Sequence, residues 1–183
     1  MSEWRQQRDA LLESPGGKLE AFPTEHDELA VYVLDTPVPR VWLRTGACWR
    51  VHVHCPLLPR LAHELAYTLR EQAEWADIAT DPFKGETRVF RYNDAVQADN
   101  RVEAYGESCG GPLVHGPGGV VAPFAPRVTV EVIDDNMKDP ADRVSYARMD
   151  TDTARRCADF LDKAADVAEA LERLHADAPR RVR

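Results

Sequence analysis

Hydrophobic residues recur along the chain with two periods, and each period predicts one kind of element. Alternating, β-branched stretches predict strands, whereas apolar residues three and four positions apart predict amphipathic helices. The predicted strands are Leu29 to Leu34, Val38 to Arg44, Trp49 to His54, Thr87 to Tyr92, Val102 to Tyr105, Arg127 to Ile133 and Arg143 to Met149. The predicted helices are 2–13, one of about 20 residues from Leu57, and a final one that Asp150 opens. These elements predict an α+β fold in which antiparallel sheet packs against two long helices, with a short N-terminal helix.

Residues that break these patterns predict three of the connections between the elements. Thr45-Gly46-Ala47 is a plausible hairpin turn between the second and third strands, and Cys55-Pro56 is expected to end the third strand. Residues 106–126 hold six glycines and four prolines, so most of this stretch is predicted to be a long irregular loop.

The order of the predicted elements indicates an internal duplication. Pro39-Arg40-Val41 and Pro126-Arg127-Val128 each open a strand, and in both places a return strand and a long helix follow. We expect a single domain over 1–183 in which residues 27–80 and 100–177 form two β-β-β-α repeats. A small sheet with one helix leaves a face uncovered, and a second copy can cover it.

Composition and charge narrow the class of protein. The 183 residues suffice for one self-supporting core, and 23 basic against 31 acidic side chains give a net charge of -8. This balance disfavours nucleic-acid binding, because such binding depends on neutralising phosphates with Lys and Arg. The sequence lacks both an apolar run of membrane-spanning length and the apolar stretch of a signal peptide, so we expect a soluble cytoplasmic protein. In that compartment the four cysteines, Cys48, Cys55, Cys109 and Cys157, are expected to be thiols.

A histidine-rich strand is the first candidate for chemistry. His52 and His54 share one face of the third predicted strand, about 7 Å apart, which is a spacing suited to a metal. Cys109, His115 and His63 are candidates for the remaining ligands of a zinc ion. The alternative is that the two histidines line a solvated face or pair with carboxylates.

The segment Gly106-Glu107-Ser108-Cys109-Gly110-Gly111-Pro112 resembles the nucleophile loop of trypsin-like serine proteases and their cysteine-nucleophile relatives. His54, five residues after Trp49, resembles that family's histidine segment. The resemblance implies His54 as base, Ser108 or Cys109 as nucleophile, and an orienting acid from Asp81, Asp94 or Asp99. Cys109 interrupts the family's serine-glycine-glycine run, and a predicted helix between His54 and Ser108 leaves no room for its paired barrels.

We therefore expect a small regulatory, accessory or inhibitor protein that binds a protein partner without catalysis or cofactor; a homodimer is a further option. The partner-binding residues are expected in the 106–126 loop, whose apolar members are Leu113, Val114, Val120, Val121 and Phe124. The alternative is a zinc-dependent or a cysteine- or serine-hydrolase-like enzyme centred on His52, His54, Cys109 and His115.

Overall fold

The computed structural model describes residues 3–25, 28–46, 53–79, 86–91, 100–108, 114–116, 119–121, 125–134, 139 and 143–178. The helices are α1 (Glu3–Glu13), α2 (Pro59–Ile78) and α3 (Thr151–Ala176). The strands are β1 (Glu20–Pro23), β2 (Glu28–Leu34), β3 (Arg40–Gly46), β4 (Val53–Leu57), β5 (Arg88–Arg91), β6 (Asn100–Glu107), β7 (Val114–Gly116), β8 (Gly119–Val121), β9 (Arg127–Asp134) and β10 (Val144–Asp150).

Two antiparallel four-stranded sheets hold most of the strands. The first sheet has the order β1-β2-β3-β4 and the second has the order β10-β9-β6-β5. The predicted α+β class, with antiparallel sheets, two long helices and a short N-terminal helix, is confirmed. Strands β7 and β8 form a separate two-stranded hairpin inside the stretch predicted to be mostly irregular. None of the helices in the described part of the chain is long and apolar enough to cross a membrane.

The first sheet corrects three local predictions. β1 was not predicted, because Phe22 is its only buried residue and four residues with one buried position carry little periodicity. Thr45 and Gly46 lie in β3 rather than in a turn, with Thr45 paired to Val53. Pro56 lies inside β4 rather than ending it. β4 is an edge strand, where a residue without an N–H costs no ladder hydrogen bond when its nitrogen faces away from the sheet.

Each long helix covers the sheet from the other half of the chain. α2, which follows the first sheet in sequence, packs mainly on β6 and β9, with smaller contacts to β3, β4 and β5. α3 packs mainly on β2 and β3, with smaller contacts to β1, β9 and β10. The two helices also contact each other along their length, and the inner faces of both sheets join them in a single hydrophobic core. Each half thus contributes four strands of one sheet, one more than predicted for a repeat; the duplication itself stays a prediction.

The contact between α2 and the second sheet is unusually close at Gly106. A Cβ atom at this position would lie 2.7 Å from the Gln72 carbonyl oxygen and 2.9 Å from a ring carbon of Trp75. The Gly106 N–H donates a hydrogen bond of 2.8 Å to the side-chain oxygen of the buried Gln72. Glycine is required here because the backbone of β6 approaches the backbone of α2.

The short helix α1 has no fully buried residue, but Leu11 and Leu12 pack against the core and polar contacts join the helix to the end of α3. The Trp4 indole N–H donates to the Leu174 carbonyl at 3.1 Å. Asp35, which follows β2, accepts from Arg8 at 2.6 Å and lies 2.6 Å from His175 Nε2. These contacts join three elements that are far apart in sequence.

Candidate functional site

The outer face of the first sheet carries a group of aromatic and basic side chains around His54, which the sequence predicts as a site residue. In the strand register Tyr32, Trp42 and Pro56 lie side by side across β2, β3 and β4. Ala30, Arg44 and His54 form the adjacent row on the same face. We call Tyr32, Trp42, Arg44 and His54 the aromatic face. It exists because these residues occupy the strand phase opposite to the buried valines and leucines.

Tyr32 and Trp42 are stacked, with ring centroids 6.5 Å apart and ring planes inclined by 17°. Both rings are partly exposed. The indole Nε1 of Trp42 is itself buried and has no hydrogen-bond partner among the described residues. The exposed part of Trp42 is therefore carbon, so the stack presents an apolar surface to solvent.

The Tyr32 hydroxyl lies 3.1 Å from His54 Nδ1. Burial raises the pKa of Tyr32, an effect that the charge of Arg44 partly opposes. The hydroxyl therefore stays protonated at neutral pH, and it can donate to Nδ1 when the ring proton is on Nε2.

Basic side chains outnumber acidic ones on this face. Arg44 forms an ion pair of 2.9 Å with Glu28, and Arg40 and His54 lie on the same side of the sheet. Glu28 is the one acidic residue on this side among the described residues of the four strands. The local excess of positive charge contrasts with a chain whose net charge is -8.

The structure describes part of the protease-like segment. Gly106 and Glu107 lie in β6 rather than in a loop, and the Gly106 N–H is bonded to Gln72 instead of lining an oxyanion hole. Glu107 forms an ion pair of 3.0 Å with Arg148, and Ser108 follows directly after the strand. His54 Nδ1 lies 3.1 Å from the Tyr32 hydroxyl. Cys109 and the candidate acids Asp81, Asp94 and Asp99 lie outside the described residues.

The candidate metal ligands are only partly described. His54 lies in β4 and His115 in β7, while His52 and Cys109 lie outside the described residues. His63, on α2, lies 2.7 Å from Asp162 of α3, so it belongs to a contact between helices. Within the described part of the chain, no group of three or more His, Cys, Asp or Glu residues is arranged to hold a metal ion.

Three of the five predicted partner-binding residues lie in one short hairpin. Val114 lies in β7, Val120 and Val121 lie in β8, and the register pairs Val114 with Val121. Leu113 and Phe124 lie outside the described residues. The binding role of this segment stays a prediction.

Sequence reasoning missed Tyr32 and Trp42. Tyr32 stands between Val31 and Val33 in a continuous apolar run, and Trp42 stands between Val41 and Leu43. Such runs are typical of strands buried on both faces, so they gave no reason to assign the aromatic residues to the surface. The available signal was that both are the bulkiest residues of their strands and lie in opposite phase to the branched residues.

The chain matches no protein-family model, and no curated protein is significantly similar to it.

Proposed function

We propose that this protein is a non-catalytic interaction protein that binds another protein through the aromatic face. The observation that carries the proposal is the stacked, partly exposed Tyr32–Trp42 pair on the outer side of the first sheet. Tryptophan, tyrosine and arginine are the residues most enriched at the energetic centres of protein interfaces. Rings that are already stacked lose little conformational entropy on binding, which favours a preformed surface.

The shape and charge of the face favour a folded, acidic partner surface. A sheet face is broad, so it fits a comparably broad surface better than a single extended chain. Arg40, Arg44 and His54 border the apolar stack. A partner with an apolar centre and carboxylates around it would match this arrangement, since complementary charges accelerate encounter and fix orientation.

We place this function in the cytoplasm. Cys55 and Cys157 are both buried free thiols, and burial raises the pKa of each. Unpaired cysteines of this kind are the rule in a reducing compartment, where they behave as small apolar core residues.

The test is a comparison of two charge-reversed double variants in extracts of the source cell. Arg40→Glu with Arg44→Glu alters the aromatic face. Arg60→Glu with Arg173→Glu makes the same change in charge at helix positions whose side chains are 80% and 69% exposed. A protein retained by the wild type and the helix variant, but lost from the face variant, is then purified and titrated calorimetrically.

We expect the purified partner to bind the face variant at least about tenfold more weakly than the wild type, and to bind the helix variant normally. Higher salt should weaken binding to the wild type. Equal affinity for all three proteins contradicts the proposal. Failure of the wild type to enrich any protein over the face variant contradicts it as well.

A further inference from the structure

A groove between α2 and the edge strand β5 lies apart from the aromatic face. Its volume is about 660 Å³, it is open to solvent, and its walls are one side of α2 and residues Arg88, Val89 and Phe90. From this groove we infer a second binding site, which takes an extended polypeptide segment as an additional strand beside β5. The site does not depend on the function proposed for the aromatic face.

The sheet supplies the first part of the argument. β5 pairs with β6 on one side only, and within the described part of the chain no strand pairs with its other side. Alternate residues of an edge strand direct N–H and C=O groups away from the sheet, and an extended peptide can bond to them. Recognition by strand addition takes its affinity from these backbone bonds and its specificity from pockets for alternate side chains.

The groove supplies those pockets. Phe90 is 7% exposed and lies on the inner side of β5, whereas Tyr67 of α2 is 66% exposed and Val89 is 46% exposed. A strand added beside β5 would turn every second side chain into the groove, next to Phe90 and Tyr67. Its other side chains would lie beside Val89 on the outer face. An apolar residue at an inward position would cover the aromatic surface that Tyr67 exposes.

The charge of the α2 wall determines which residues of the bound segment fit on either side of this apolar residue. Glu64, Tyr67 and Glu71 line the groove from α2, and their spacing of three and four residues places them in one row on the helix. The wall therefore presents an acid, an aromatic ring and a second acid. Arg60 approaches Glu64 at 3.7 Å but is 80% exposed, and Arg88 on the opposite wall is paired with Glu86 at 3.5 Å.

The geometry thus points to a segment with a basic residue at each of two inward positions and an apolar residue at the inward position between them. Glu64 and Glu71 are about 10 Å apart along the helix axis. Inward positions four residues apart on a strand are separated by about 13 Å, a difference that flexible lysine side chains can absorb. A basic, extended segment of a partner protein is the occupant that fits.

The probe is a fluorescent synthetic peptide in which threonines alternate with lysine, valine and lysine, titrated against the full chain by fluorescence anisotropy. One control peptide replaces both lysines with glutamate. A second carries N-methyl groups at the threonine amides, which prevents backbone pairing on one edge of the peptide. The protein variants are Tyr67→Ala and Glu64→Lys with Glu71→Lys. Tyr146→Ala serves as the matched control, because this tyrosine is 52% exposed on β10, at the opposite edge of the same sheet.

We expect the lysine peptide to bind at least about tenfold more tightly than either control peptide. Tyr67→Ala and the double charge reversal should each weaken it about tenfold or more, while Tyr146→Ala leaves it unchanged. Equal binding of the lysine and glutamate peptides, or binding that survives both groove variants, overturns the inference. So does a sedimentation result in which the wild type is a dimer and Tyr67→Ala is a monomer, because a second copy would then occupy the groove.

Discussion

The two long helices cover the two sheets in the same exchanged way, but different contacts hold them. α2 lies against the second sheet at Gly106, where a hydrogen bond and a close backbone approach fix its position. α3 lies against the first sheet through apolar contacts such as that of Phe22 with Phe160, whose ring centroids are 5.9 Å apart. A polar contact of fixed geometry sets the register of a helix, whereas apolar contacts supply more of the stabilisation and tolerate small shifts.

The strongest test of this difference is removal of the apolar contact. Phe160→Ala deletes a ring that is 8% exposed, and we expect it to lower the free energy of unfolding by about 3–5 kcal/mol. Urea denaturation measures the change. Tyr146→Ala removes a comparable but exposed ring and should change stability by no more than about 0.5 kcal/mol. A loss below about 1 kcal/mol for Phe160→Ala would show that α3 is held in some other way.

The next largest effect is expected where α2 meets β6. Gly106→Ala places a methyl group against the backbone of Gln72, which cannot rotate away, so we expect a loss of about 1–3 kcal/mol. Glu103→Ala, on the solvent side of the same strand, is the control and should cost about 0.5 kcal/mol or less. Unchanged urea midpoints for both variants would contradict the close approach of α2 to β6.

The start of α3 has a cap that α2 lacks. The Thr153 N–H donates to the Asp150 side chain at 2.6 Å, whereas α2 begins after Leu58 with no side-chain cap. We expect Asp150→Ala to cost about 1 kcal/mol and Asp150→Asn less, because asparagine can still accept the bond. Thermal unfolding of the two variants measures the ranking. Loss of equal size in both would mean that charge, rather than the hydrogen bond, matters at this helix end.

The same cap predicts a dependence on pH. Hydrogen bonding by the Thr153 N–H holds the pKa of Asp150 below its usual value. A lowered pKa in the folded state means that this stabilisation is complete above the ordinary aspartate pKa of about 4 and is lost as the pH falls through the lower folded value. The difference in stability between wild type and Asp150→Ala should therefore shrink in acid. A difference in stability that stays constant down to a pH of about 2 would contradict this predicted pH dependence.

The smallest effect is expected where the two helices meet each other at the surface. Arg70 of α2 lies 2.8 Å from Asp159 and 2.7 Å from Asp162 of α3. These side chains are partly solvated, so Arg70→Met should cost only about 0.2–1 kcal/mol, and less in high salt. Urea denaturation at low and high sodium chloride concentrations measures both values. A cost that does not fall with salt would show that packing of the arginine stem, rather than charge, is what is lost.

The sequence predicted an element best where a single clear pattern, such as alternation or a helix-starting residue, identifies it. The alternation of Val128, Val130 and Val132 identified β9, and the aspartates at the start of α3 marked its first turn. The ends of the strands in the first sheet were predicted less accurately. A proline such as Pro56 indicates the end of a strand unless the strand is known to lie at the edge of a sheet. The exchange of the helices could not be predicted, because an apolar stripe does not specify which of two sheets it covers.

The candidate site was predicted in part. His54 was identified as a site residue, but its neighbour Tyr32 was not, since the pairing of β2 with β4 through β3 depends on contacts across the sheet. The acidic row of Glu64 and Glu71 was not predicted to belong to a site. The two acids face β5 because α2 and β5 pack beside each other and form the groove. Residues 79–87 separate these two elements along the chain, so the sequence pattern alone did not show that they are neighbours.

The exchanged helices also constrain the order of events during synthesis. The first sheet leaves the ribosome before α3 does, so its apolar inner face stays uncovered until the second sheet and α3 have followed. Pairing between segments so distant in sequence is slow, and an exposed sheet face is prone to aggregate meanwhile. We therefore expect folding to be largely post-translational, with α2 serving as a provisional partner for the first sheet until α3 replaces it.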